Sequence, residues 1–142
     1  QLEALAQSSD ERLRHIAAKA IKETSYHAQY SAEWIIRLGD GTEESHAKIA
    51  QSLRHFAPFA HEFFVSAEVD RAAAEAGFGP KVSDLSSSWE EKVNAILQLA
   101  TLDPVDLGFP KKGGKAGLHS EHHGYLLAEM QSLARAYPDA SW

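Results

Sequence analysis

Two glutamates and two histidines in this sequence have the residue types and the spacing of metal ligands. Glu23 and His27 stand four residues apart, and Glu43 and His46 form a Glu-x-x-His motif. Residues three or four apart share one face of a helix, and carboxylate and imidazole groups are suitable ligands for iron. An inward Glu together with a Glu-x-x-His pair is half of the ligand set of a ferritin-like di-iron centre.

The positions of these residues along the predicted helices argue against a working di-iron site. The Gly-Asp-Gly sequence at 39–41 predicts a short turn between two antiparallel helices. Glu23 would lie ~25 Å along its helix from that turn, whereas Glu43 and His46 would lie within ~9 Å of it. The second helix is level with Glu23 near Ala57, where no Glu-x-x-His occurs. We therefore predict no catalytic, cofactor-binding or metal-binding residue, and we regard the four side chains as vestigial ligand candidates.

Each candidate ligand also has a structural interpretation. Glu43 is favoured as a first-turn acid, because the N-terminus of a helix attracts negative charge. Glu23 and His27 occur in a stripe of otherwise apolar residues, so we expect both to be largely buried. A buried carboxylate needs a polar partner, and the two side chains can hydrogen-bond each other or a basic residue.

Two further segments have residue types that could bind ligands. His119, His122 and His123 surround Glu121, but the order differs from the His-Glu-x-x-His motif of zinc enzymes, so a zinc site is disfavoured. The segment 111–117 contains three lysines and three glycines without the spacing of a phosphate-binding P-loop. A mobile, solvated loop is the favoured interpretation.

The elements that must position these residues are all predicted to be helices, separated by Gly and Pro. Ser8 and Glu11 form a capping-box pattern that predicts the start of the first long helix, and Pro58 is expected to kink or split the second. Ser88 and Glu91 predict the start of a third. The predicted helices cover residues 8–39, 42–76, 88–102 and 119–137. No strand alternation or internal repeat is present, so we predict an all-α fold with a single helical domain over residues 1–142.

The hydrophobic pattern predicts that the first long helix packs on two sides. One stripe follows three- and four-residue spacing, and a second stripe of small or apolar residues runs beside it. The first stripe consists of Leu13, Ile16, Ala20, Glu23, His27, Tyr30 and Trp34. On the second long helix, Phe56, Phe59 and Phe63 flank the main stripe. We expect part of this apolar surface to be covered by further helices of the same subunit and part of it to bind a partner chain.

The composition excludes several classes of function. The chain has 142 residues, a formal net charge of −6 and 44% hydrophobic residues. An acidic protein is a poor ligand for nucleic acid and for anionic membranes, and no apolar run is long enough to span a bilayer. The absence of cysteine suits a reducing compartment, so we expect a cytoplasmic protein. The sequence opens at Gln1 within a helical pattern, and we expect it to be the C-terminal part of a longer protein.

Several segments resemble a known family. These are residues 22–27 (KETSYH), 37–46 (RLGDGTEESH), 117–122 (GLHSEH) and 124–131 (GYLLAEMQ). They are similar to the C subunit of the bacterial phenylacetyl-CoA (ring 1,2-) epoxidase, a multicomponent monooxygenase of phenylacetate degradation. The similarity extends over nearly the whole chain and is weakest at residues 78–88.

The resemblance implies a ferritin-like bundle of up-down antiparallel helices, of which this chain would form a part. It also implies a hetero-oligomer with the homologous catalytic A subunit and the other epoxidase components. The di-iron centre is expected in that catalytic partner, and no cofactor is expected here. Two alternatives remain open at this point: a catalytically active di-iron carboxylate oxygenase, and a free-standing ferritin-like binding protein.

Overall fold

The described part of the chain, residues 1–141 of a computed structural model, is all-α and contains no strand. This confirms the predicted fold class. The α-helices are α1 (Leu2–Leu5), α2 (Glu11–Gly39), α3 (Glu43–Phe56), α4 (Glu68–Glu75), α5 (Ser86–Leu99) and α6 (His122–Ala136). Short 3-10 helices cover Ala57–Phe64, Val82–Leu85 and Gly114–Ala116.

The chain divides into two compact units. The first, residues 1–112, contains α1 to α5, and the second, residues 113–142, contains α6. The predicted organisation as a single domain stays a prediction. Among residues 1–141, every helix is too short or too polar to cross a lipid bilayer.

The core of the first unit lies where the C-terminal parts of α2 and α5 meet α3. Leu97, Ala100 and Leu102 form its buried cluster. Partly buried apolar residues pack around this cluster: Ile35, Ile36, Ile49, Ala50, Leu53, Val93 and Val105. The core therefore stabilises the turn end of the α2–α3 pair.

The turn between α2 and α3 has the predicted position and a tight contact with the C-terminal end of α5. Helix α2 ends at Gly39, and the Thr42 side chain caps α3 by accepting a hydrogen bond from the backbone N–H of Ser45. Gly39 is buried, and a Cβ atom there would lie 2.3 Å from the carbonyl oxygen of Ala100. Only glycine permits such a close approach of two backbones.

The start of α2 differs from the prediction. Asp10, and not Ser8, is the N-cap, and its Oδ1 accepts a hydrogen bond from the backbone N–H of Leu13 at 2.8 Å. Ser8 is buried, with an exposed fraction of 3%, and its hydroxyl accepts a hydrogen bond from the backbone N–H of Asp10. The predicted capping box of Ser8 with Glu11 is therefore wrong, because the Ser8 hydroxyl binds the backbone of Asp10, before the helix begins.

Pro58 splits the second long helix as predicted. Helix α3 ends at Phe56, and the 3-10 helix that contains Pro58 follows. The predicted continuous pattern to Ala76 is interrupted once more, because Val65 adopts an extended conformation before α4 begins at Glu68. The end of the pattern at Gly77 is confirmed, since this glycine has a φ of +74°.

The last two helices do not begin where the sequence predicted. Helix α5 begins earlier than predicted, and helix α6 begins later. Helix α5 begins at Ser86 without a side-chain cap, so the predicted capping box of Ser88 with Glu91 is wrong. A 3-10 turn, Val82–Leu85, leads directly into α5 and removes the need for a cap. Helix α6 begins at His122, three residues after the predicted start at His119.

Candidate functional site

Glu23 and His27 lie on the surface of α2. Both side chains are exposed, which contradicts the prediction that they are buried. Among residues 1–141, no hydrogen bond or ion pair engages the Glu23 carboxylate. The His27 ring contacts the ring of Tyr26 edge to face, with centroids 6.2 Å apart. The described chain therefore does not supply either group with the buried polar partner that the sequence led us to expect.

The whole middle of α2 shares this exposure. Each of residues 22–31 is exposed, although they belong to one continuous helix. The prediction of two buried stripes is therefore wrong for this segment within the described chain. Helix α2 contacts α1, α3 and α5, and its residues that pack on the buried cluster, Ile35 and Ile36, lie near its C-terminal end. The periodicity of the sequence identified an apolar face of α2, but it did not indicate whether the chain itself buries that face.

Aromatic side chains form a continuous ladder on this exposed part of α2. Tyr26 stacks on Tyr30 with centroids 6.5 Å apart, and Tyr30 meets Trp34 edge to face at 6.4 Å. The Arg37 guanidinium lies 5.6 Å from the centroid of the Trp34 ring. We call Tyr26, Tyr30 and Trp34 the aromatic ladder. Exposed aromatic residues in one contiguous row are typical of a surface that binds another protein.

A second exposed apolar surface lies at the end of α3 and in the following 3-10 helix. Phe56, Phe59 and Phe63, which flank the main stripe of the second predicted helix, are exposed. The ammonium group of Lys111 lies 4.6 Å from the centroid of the Phe59 ring. Lys111, the first residue of the predicted loop, therefore contacts an aromatic ring although its side chain remains exposed.

Glu43 and His46 lie in the first turn of α3. Glu43 is exposed and stands at the position where the helix dipole favours an acid. His46 is half-buried, and its Nδ1 lies 2.7 Å from the carbonyl oxygen of Gly39. Because a carbonyl oxygen can only accept, Nδ1 carries the hydrogen, and Nε2 is the acceptor in the neutral ring.

The four candidate ligands do not come together in one site. They are Glu23, His27, Glu43 and His46. Helix α2 is continuous from Glu23 to Gly39, so the Glu23 backbone lies ~24 Å from the turn at 1.5 Å per residue. Glu43 and His46 lie at the turn itself. Within residues 1–141, no group of three or more His, Cys, Asp or Glu side chains is arranged to hold a metal ion. The donor set of the described chain therefore does not fit a di-iron centre.

The histidine segment before α6 brings two rings together. The rings of His119 and His123 lie with centroids 4.1 Å apart. Residues 1–141 supply no third ligand of a suitable type beside them. The low expectation for a zinc site here stays a prediction.

A cleft between α3 and the segment that follows α5 was not predicted from the sequence. This cleft has a volume of about 270 Å³. One wall contains His46 and Arg54 of α3, and the other contains Thr101, Asp103 and Asp106. The Asp-Pro pair at 103–104 predicted only the end of a helix. The three-residue spacing of the two aspartates, just after a helix and before a glycine, was the available signal.

Comparison with known proteins shows which family the chain matches. The model of the family described as "Phenylacetic acid catabolic protein" matches residues 1–142. The chain is 41% identical over 138 residues to the C subunit of the 1,2-phenylacetyl-CoA epoxidase of Escherichia coli (strain K12). That alignment covers 97% of this chain and 56% of the relative, so the chain spans about half the length of the curated relative.

Proposed function

Since the chain belongs to the phenylacetic acid catabolic protein family, we propose that it is part of a structural, non-catalytic subunit of a multicomponent di-iron monooxygenase. The reaction we propose for the complex is epoxidation of the aromatic ring of phenylacetyl-CoA, in bacterial phenylacetate catabolism. The observation that carries this proposal is the similarity to an epoxidase subunit with that substrate in its name.

The non-catalytic role is supported by the distribution of possible ligands. A di-iron carboxylate site needs several carboxylates and imidazoles that converge in the interior of a bundle. Here Glu23 and His27 are exposed on α2, and Glu43 and His46 lie at another level. We therefore assign the di-iron centre to the homologous catalytic partner and no cofactor to this chain.

The supporting role rests on apolar surface that lacks a cover within the described chain. The aromatic ladder and the three exposed phenylalanines at 56, 59 and 63 lie on helical elements of the first unit. An apolar surface of this kind on one component of a complex is suited to binding another component. We propose that the catalytic subunit binds the aromatic ladder, forming a hetero-oligomer.

Reconstitution tests the supporting role. The full-length protein and its catalytic partner would be purified separately, and ring epoxidation would be measured with each alone and with both together. We expect activity only in the mixture, together with a complex that elutes as one species. Full activity from the catalytic partner alone would contradict the supporting role, and activity from the present protein alone would contradict the non-catalytic role.

Metal analysis tests the absence of a cofactor in this protein. We expect substoichiometric iron in the isolated full-length protein and stoichiometric iron in the complex. The variant Glu23→Ala should leave the iron content of both preparations unchanged, because Glu23 is not part of a ligand group. Stoichiometric iron in the isolated protein that is lost on Glu23→Ala would overturn this assignment.

A further inference from the structure

The cleft beside α3 has an apolar floor and a polar rim. Leu97 and Leu102, which belong to the buried core, line its base together with Leu53 and Val105. The polar groups of the rim belong to His46, Arg54, Thr101, Asp103 and Asp106. An apolar base with a few convergent polar groups is the general form of a binding pocket.

The segment that forms one wall of the cleft is held in place by its own hydrogen bonds. The backbone N–H of Val105 donates to Oδ1 of Asn94 at 2.8 Å, and that of Gly108 donates to Oδ1 of Asp106 at 2.8 Å. Thr101 has a φ of +57°, which is uncommon and unfavourable for a β-branched residue. The wall is therefore pre-formed, and it retains a strained residue at its start.

Two polar groups of the rim already donate their hydrogen atoms within the protein, to the carbonyl oxygen of Gly39. The Thr101 hydroxyl donates to the carbonyl oxygen of Gly39 at 3.2 Å. The same carbonyl oxygen accepts the Nδ1 hydrogen of His46. The groups that remain for a ligand are the Thr101 oxygen and, in the neutral ring, Nε2 of His46, and both are acceptors.

The charged groups of the cleft reinforce this acceptor character. Asp103 and Asp106 are exposed carboxylates, which only accept hydrogen bonds when ionised. Among the lining residues that the structure describes, Arg54 contributes the positive charge. Within residues 1–141, no ion pair joins its guanidinium to either aspartate. The two carboxylates of Asp103 and Asp106 outnumber the one guanidinium of Arg54 in the lining of the cleft.

We propose that this cleft binds the side chain of an arginine from a partner protein. The volume of about 270 Å³ is below the ~300–1,000 Å³ of pockets for small organic ligands, and it suits a single side chain. The methylene groups of arginine would cover the apolar floor, and its five N–H donors would meet the acceptors of the rim. Arginine is also enriched among the residues that dominate binding at protein interfaces.

Titration with a pair of matched probes tests the proposal. The full-length protein would be titrated with N-acetylarginine N-methylamide and with the citrulline analogue, which has a similar shape and no charge, while backbone amide resonances are recorded. We expect the arginine probe to cause saturable shifts at residues 101–106 with a Kd at least about tenfold lower than that of citrulline. This ratio corresponds to about 1.4 kcal/mol.

A double variant and a control identify the site. Asp103→Asn with Asp106→Asn should raise the Kd of the arginine probe by about tenfold or more, and the amide oxygen introduced by Asp106→Asn can still accept the Gly108 hydrogen bond. Asp84→Asn, an exposed aspartate outside the cleft lining, should leave the Kd unchanged. Circular dichroism checks that all variants remain folded. Equal Kd values for the two probes, an unchanged Kd in the double variant, or no saturable shift at residues 101–106 would overturn the proposal.

Discussion

The turn end of α2 and the middle of the same helix differ in what covers them. At the turn end, Gly39 touches Ala100, and Ile35 and Ile36 pack on the buried cluster around Leu97. In the middle, each of residues 22–31 is exposed, and aromatic rings lie on the surface. One helix thus contains a region that packs in the core of this chain and a region whose apolar surface the described chain leaves exposed.

The difference shows that the periodicity of an apolar stripe does not tell which part of the stripe the chain itself buries. The stripe from Leu13 to Trp34 has the same periodicity along its whole length, but the described chain buries little of it. Stability should therefore depend on the turn end, whereas association should depend on the middle. The variants below test this division, beginning with the largest expected effect on stability.

Truncation of the central core residue should have the largest effect. Leu97 is 2% exposed and belongs to the buried cluster. Leu97→Ala should lower the free energy of unfolding by about 3 kcal/mol, because it removes buried apolar groups and leaves a cavity. Leu99→Ala, two residues away and 65% exposed, is the matched control and should change stability by less than about 0.5 kcal/mol. Similar losses in the two variants, measured by urea unfolding, would contradict the placement of the core.

The close contact at the turn should have the next largest effect. Gly39→Ala would bring the new Cβ to 2.3 Å from the Ala100 carbonyl oxygen, so the two backbones must separate. We expect a loss of about 2 kcal/mol in the free energy of unfolding, measured in urea. Gly79→Ala is the control, since its nearest contact would be 3.4 Å from a flexible leucine side chain. A Gly39→Ala protein that matches the control in stability would refute the role of this contact.

Loss of the α2 cap should have a smaller effect. Asp10→Ala removes the acceptor of the Leu13 N–H hydrogen bond and should cost about 1 kcal/mol. Glu11→Ala removes only a first-turn acid and should cost less, about 0.3 kcal/mol. Thermal unfolding of the two variants compares them directly. A larger loss for Glu11→Ala would favour the capping box that the sequence suggested.

Local chemistry in the sequence predicted the turns and breaks well. Glycines at 39 and 41, Thr42 and Pro58 each act on their own backbone, so their effects need no knowledge of distant residues. The cap at Asp10 was missed because Ser8 offers the same chemistry two residues earlier, and the burial of Ser8 decides between them.

The candidate site was less predictable because burial depends on other segments. Periodicity placed Glu23 and His27 on one face of α2, and that spacing is compatible with either a core or a surface. The cleft at Thr101, Asp103 and Asp106 brings together residues of α3 and of the segment after α5, which are far apart in sequence. Only the three-dimensional arrangement unites them.

A substitution in the aromatic ladder should have the smallest effect on stability and the largest effect on binding of the catalytic partner. Tyr30 is 54% exposed in the centre of the aromatic ladder, so Tyr30→Asp should change the stability of the isolated protein by less than about 0.5 kcal/mol. A carboxylate buried in an interface without a partner is strongly unfavourable. Lys19→Asp, an exposed change on the same helix that precedes residues 22–31, is the control.

The most direct measurement combines the thermal unfolding of the full-length Tyr30→Asp protein with its affinity for the catalytic partner and the epoxidation activity of the mixture. We predict an unchanged melting temperature, a Kd at least about tenfold higher and a matching loss of activity, with the Lys19→Asp control close to wild type. An unchanged Kd and full activity would contradict the claim that the middle of α2 supports the catalytic partner. Unfolding of the variant would contradict it as well, because the ladder would then be covered within the protein itself.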